Sequence, residues 1–185
     1  MIKAIIFDMV GPLLQKDPNY QKNELVEEVE SLASMYKDTN QLENELKINA
    51  RTKEFSEEEI AKRAVKKYIK IYQIWNELLP ALKKQGFKLA VVNNGTSLTI
   101  PFFKKENKFE EFFSIFINSS EEGIEKPNPE IYILACKKLG VEPEECIFID
   151  DLEENVLGAK KVGMIGFVYK DYQSLIHDLS SYVTL

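Results

Sequence analysis

The stretch Lys3-Ala4-Ile5-Ile6-Phe7-Asp8, followed closely by Gly11-Pro12, is a short apolar, β-prone run cut off by a turn. A strand without a polar side has no face to offer water, which points to a parallel sheet covered by helices. Runs of the same kind recur at Lys88-Leu89-Ala90-Val91-Val92, Ser114-Ile115-Phe116-Ile117, Cys146-Ile147-Phe148-Ile149 and Ile165-Gly166-Phe167-Val168. Helical stretches separate them. One runs through Leu78-Leu82 and is stopped by Gly86, one starts near Ser97, and one spans Pro129 to Leu139 and ends at Gly140. A further helix reaches Val162 before Gly163, and a last one covers Leu175-Ile176. The β/α rhythm predicts a doubly wound, Rossmann-like α/β layer whose function belongs at the carboxyl ends of the strands.

Between Asn23 and about Trp75 the pattern changes to helical periodicity rich in Glu and Lys, which reads as a helical insertion. Leu25, Val29, Leu32 and Tyr36 form one apolar stripe. Ser56 and Glu59 fit a capping box that Phe55 is placed to staple, and Ile60, Ala64, Tyr68 and Ile71 follow at helical spacing. These stripes read as core packing and carry no chemistry.

A chain of 185 residues with 44% hydrophobic and 29% charged residues has the profile of a folded globular protein. Its net charge of -6, with 24 Lys+Arg spread among 30 Asp+Glu, offers no basic tract for nucleic acid. The apolar opening is too short for a signal peptide, and no run reaches membrane-spanning length. Cys136 and Cys146 lack the close spacing of a redox or zinc motif, so reduced structural thiols and a cytoplasmic location are expected.

Three of the apolar runs end in polar residues: Phe7-Asp8, Val92-Asn93-Asn94-Gly95 and Ile149-Asp150-Asp151. One Asp after a strand is ordinarily a turn or helix cap, but in a parallel sheet all three ends open into one crevice. Carboxylates gathered there repel one another unless a cation intervenes, and Mg²⁺ is the natural hard ion for oxygen ligands. Lys126, in Glu125-Lys126-Pro127-Asn128-Pro129, is stiffened by two prolines and presents an ammonium suited to an anionic substrate.

Taken in order, these segments resemble the four motifs of the haloacid dehalogenase superfamily over nearly the whole chain. Ile5-Ile6-Phe7-Asp8-Met9-Val10-Gly11-Pro12-Leu13-Leu14 resembles the first motif, and the resemblance makes Asp8 a nucleophile that forms a covalent aspartyl intermediate. Val91-Val92-Asn93-Asn94-Gly95 resembles the second, with Asn93 at a position where the family has a hydroxyl. Lys126-Pro127-Asn128-Pro129-Glu130-Ile131-Tyr132 resembles the third, whose Lys neutralises nucleophile and substrate. The segment from Ile147 through Asp150-Asp151 to Ala159 resembles the paired-acid fourth motif.

The resemblance implies a small phosphorylated substrate held by Met9, Asn93, Asn94, Gly95 and Lys126. It also implies Mg²⁺ on Asp8, Asp151 and the Val10 backbone carbonyl, with Asp150 and Asn155 in support. Residues 1–14 and 76–185 become the core, and residues 15–75 become an all-helical cap that excludes water and selects substrates.

One position departs from the phosphatase pattern. Two residues after the nucleophile the family usually has a second Asp, a general acid and base, and here Val10 stands. Such catalysis commonly contributes about 10² to 10⁴ in rate. Three readings stay open: a slow phosphatase aided by a good leaving group, a halide-releasing enzyme, and a catalytically silent relative that binds a ligand or protein. Arg51 and Arg63 are the cap cations that could hold a haloacid carboxylate, but both read as solvated surface. The lone His177 lies far from every motif, and Trp75 reads as a packing anchor.

Overall fold

The apolar run at the start becomes β1 (Ala4–Phe7), buried at every residue in a computed structural model that describes residues 1–20, 41, 44 and 56–184. The neighbours of β1 are β4 (Lys88–Asn93) and β6 (Cys146–Asp150), both parallel, with Phe7 opposite Val91 on one side and Ile149 on the other. β5 (Ile115–Asn118) and β7 (Ile165–Val168) complete the five-stranded order β5-β4-β1-β6-β7. The chain winds outward through β4 to β5 and then crosses to the other side of β1. That reversal opens a crevice at the carboxyl end of β1.

Alternation along the strands feeds two cores, as expected of a sheet covered on both faces. Ile5, Phe7, Leu89, Val91, Ile147 and Ile149 face one side, where Trp75, Leu78, Leu82 and Phe109 pack. Ala4, Ile6, Ala90, Val92, Ile117 and Phe148 face the other, against Ile131, Tyr132 and Ala135.

Among the described residues the α-helices are α1 (Glu57–Val65), α2 (Leu79–Lys84, continuing a π-helical turn at Ile74–Leu78), α3 (Ile100–Asn107), the short α4 (Ser119–Glu122), α5 (Pro129–Leu139), α6 (Glu153–Lys161) and α7 (Tyr172–Leu179). Each matches an expected helix except α4. α3 begins three residues later than Ser97 suggests, with Pro101 in its first turn, where a missing N–H costs nothing. The Ser56–Glu59 capping box is present at the start of α1.

The stripe expected to run as one helix through Tyr68 and Ile71 breaks after Val65. Tyr68–Lys70 forms β3, paired antiparallel with β2 (Leu14–Lys16), so a two-stranded ribbon stands at the neck of the insertion. Pairing to the first strand's exit overrides the local helical period. The stripe from Leu25 to Tyr36, Phe55 and Arg51 lie outside the described residues. Trp75 is the expected anchor: its indole donates to the Leu13 carbonyl at 2.8 Å, and its ring meets Phe109, Phe112 and Phe113 edge-on. Cys136 and Cys146 are free, buried thiols in contact.

Candidate active site

Asp8 leaves β1 at the crevice, its N–H continuing the sheet by donating to Ile149 at 2.8 Å. Asp150 ends β6 alongside. Between them stands Lys126, whose Nζ donates to Asp8 Oδ1 at 2.6 Å and to Asp150 Oδ2 at 2.7 Å. All three are buried, with Asp150 fully enclosed and Lys126 4% exposed. A buried ammonium is tolerable only with such partners.

The charges shape one another. Burial pushes the Asp8 carboxyl up to about 6, opposed by the Lys126 ammonium and reinforced by the Asp150 charge. Burial works against the Lys126 ammonium, but the two carboxylates outweigh it and hold its pKa above the ordinary range. Asp151, exposed at the rim, is raised by partial desolvation and then by its neighbour Asp150. Carboxylate oxygens of Asp8, Asp150 and Asp151 lie within 4.8 Å of one another, an all-oxygen donor set that fits a hard divalent cation.

The members of that set differ in availability. Asp150 Oδ1 accepts from the Leu152 N–H and both its oxygens accept from the Asn155 amide, while Oδ2 also takes Lys126. Asp150 is therefore spent on holding the site, and Asp151 is the exposed acid beside it. Gly11 makes room for Asp151: with φ of 115°, it carries no Cβ, and one placed there would lie 2.7 Å from Asp151 Cγ.

Across the crevice, Asn94 grips the Lys126 backbone twice, donating to its carbonyl and accepting from its N–H, each at 2.9 Å. Asn93 donates to Asn118 Oδ1 at 2.8 Å, and Gly95 donates to the Ser119 hydroxyl at 3.1 Å. Asn118 in turn donates to the Gly95 carbonyl at 2.8 Å. Beside this turn lies a cavity of about 160 Å³. Asn93 to Thr96, Thr99 and Lys67 line it together with Met9, Val10, Ala64, Tyr68 and Phe103.

A model of haloacid dehalogenase-like hydrolases matches residues 2–163. The chain belongs to the haloacid dehalogenase-like hydrolase family. It is 38% identical over 101 residues to a glyceraldehyde 3-phosphate phosphatase of Methanopyrus kandleri, covering 53% of this chain and 42% of that protein. It is 30% identical over 92 residues to the pyrophosphatase PpaX of Bacillus cereus, covering 50% and 43% respectively. The matched stretch thus spans less than half the length of these curated relatives. A HAD family enzyme of Bacteroides thetaiotaomicron, solved in complex with magnesium and inorganic phosphate, shares the fold with a TM-score of 0.71 at 21% identity. That superposition covers 95% of this chain and 99% of the other.

In this haloacid dehalogenase-like hydrolase, Asp8, Lys126, Asp150, Asp151 and Asn155 come together as one cluster. Asn93, Asn94 and Gly95 form a second one beside it, and Met9 and Val10 lie on the cavity wall. His177 is exposed on α7, and Arg63 is half-buried on α1. Asn118 and Ser119, outside the motifs read from the sequence, are both buried and both bonded to the β4 turn. The signal was available: Ile115-Phe116-Ile117 is another apolar run that ends in polar residues. Tyr132 is a further supporting residue: its hydroxyl donates to the Asn155 carbonyl at 2.7 Å and so steadies the residue that holds Asp150.

Proposed function

We propose that this chain is a Mg²⁺-dependent phosphatase that hydrolyses a small phosphorylated metabolite through an aspartyl-phosphate on Asp8. The observation that carries the reading is the Lys126 ammonium, bonded at once to Asp8 and Asp150 at the mouth of the parallel sheet. It neutralises the nucleophile's carboxylate enough for a dianionic phosphate to approach, and it orients the attacking oxygen. Asp8 and Asp151, with the Val10 carbonyl, are the residues that would hold Mg²⁺, which when bound adds positive charge against the phosphoryl oxygens.

Asp8 attacks phosphorus, the bond to the departing oxygen breaks, and water then cleaves the aspartyl-phosphate. The Asn93-Asn94-Gly95 turn faces the phosphoryl group across the crevice, and residues 15–75 form the cap that keeps bulk water out. The enzyme works in the cytoplasm, in keeping with two free thiols. Among the described residues no helix is long and apolar enough to cross a membrane.

The test is turnover of p-nitrophenyl phosphate and acetyl phosphate with Mg²⁺, with and without chelator, beside Asp8→Asn. We expect wild-type turnover that the chelator and the substitution both abolish; turnover surviving in Asp8→Asn excludes the nucleophile. A second reading, a ligand- or protein-binding relative without turnover, is favoured by Val10 and by the engagement of the Asn93 amide with Asn118. An inactive wild type would decide for it. Chloride release from 2-chloropropionate without metal would instead make the chain a dehalogenase.

A further inference from the structure

The cavity beside the site has both polar and apolar lining. Polar lining comes from the turn after β4, Asn93 to Thr96, with Thr99 and Lys67, and the apolar lining from Val10, Ala64, Tyr68 and Phe103 beside Met9. Tyr68 and Phe103 stand ring to ring with centroids 5.7 Å apart, and Lys67 Nζ sits 5.0 Å from the Tyr68 ring centroid. The cavity volume, about 160 Å³, is close to that of an apolar cavity of about 150 Å³ known to take up one benzene ring. Val10 links the cavity to the nucleophile, since it follows Asp8 by two residues and forms part of the wall.

Two constraints act on whatever leaves through this cavity. A departing oxygen that meets Val10 finds no proton on that side chain, which favours a leaving group stable as an anion. An alkoxide localises that charge on one oxygen, which an apolar wall penalises heavily. A phenolate or enolate spreads the charge over a flat, largely apolar group that such a wall accepts. Val10 then ceases to be a lost acid and becomes part of a specificity surface.

Resting on the phosphatase reading above, we propose that Val10, Ala64, Tyr68 and Phe103 form a leaving-group pocket that selects phosphate esters of a flat, apolar, weakly basic oxygen, namely aryl or enol phosphates. In the first step an Asp8 oxygen bonds to phosphorus, and the bond from phosphorus to the aryl or enol oxygen breaks. The electron pair stays on that oxygen, which leaves unprotonated. Water then bonds to phosphorus, the bond to Asp8 breaks, and both protons of the water depart on dihydrogen phosphate. Solvent protonates the phenolate or enolate after release.

The decisive measurement is equilibrium binding of phenylphosphonate and methylphosphonate to the full chain with Mg²⁺, by calorimetry. We expect phenylphosphonate to bind at least about tenfold more tightly, as burial of one ring predicts. Phe103→Ala should erase that advantage and leave methylphosphonate unchanged. Because Phe103 is buried, Ala64→Leu serves as a second variant that fills the cavity from another side and should have the same selective effect. Methylphosphonate bound without a phenyl preference overturns the pocket and leaves the phosphatase reading standing; neither compound bound overturns both.

A kinetic arm separates pocket from chemistry. Aryl phosphates should exceed alkyl phosphates in kcat/KM by about 10² to 10⁴, and Val10→Asp should narrow that gap by accelerating the alkyl esters. Equal rates in the wild type would overturn the proposal.

Discussion

Lys126 carries the heaviest physical obligation of any single residue. Its ammonium is buried with two carboxylates at hydrogen-bonding distance, so it serves as the counter-ion of the fold as well as of the site. Removing it leaves Asp8 and Asp150 facing one another without a counter-charge. Lys126→Met, which preserves the apolar stem, should cost about 3–5 kcal/mol of stability in metal-free protein at neutral pH, measured by urea unfolding. An unchanged midpoint would show that the pair sheds its charge by taking up a proton. At this scale the site was largely legible, because Asp8, Lys126 and Asp150 each follow a recognisable local pattern. The Asn93–Asn118 bond was not, since it depends on which strands are neighbours, and an amide leaves no mark in sequence of the partner it chooses.

Among the elements, α6 and the loop that delivers Lys126 are held together at one glycine. A Cβ on Gly158 would come within 2.7 Å of the Pro127 carbonyl and 2.9 Å of the Tyr132 hydroxyl. Gly158→Ala should therefore push α6 away from that loop, destabilise the fold by about 1–3 kcal/mol and lower turnover, because Asn155 on the same helix holds Asp150. Leu157→Ala, at an exposed neighbouring position, should do neither, as thermal melts and a phosphatase assay on both variants would show. The strands were readable to within a residue or so because their apolar runs are continuous and bounded by polar ends. The neck ribbon was hidden. Three residues of β3 cannot distinguish a period of two from a period of 3.6, and the partner strand lies on the far side of the insertion.

For the whole molecule, the balance of charge at the crevice links stability to pH. The Asp8 carboxyl ionises near 6 in the folded chain, above its ordinary value of 3.8, so the folded state binds this proton more tightly than the unfolded state does. Ionisation therefore costs the metal-free fold stability as pH rises from about 4 to about 6, with no further loss from this group above that window. Asp8→Asn, which cannot ionise, should gain on the wild type across that window in metal-free thermal melts. A pH-independent difference would refute it, and Mg²⁺ should reverse the ranking at neutral pH by stabilising only the carboxylate.

The doubled grip of Asn94 on the Lys126 main chain has a consequence for motion. One donor and one acceptor on the main chain of a single residue imitate a sheet edge, so displacing the turn after β4 from the loop before α5 must break two hydrogen bonds at once. The two walls of the crevice are thereby tied to one another through main-chain bonds as well as through the Lys126 side chain.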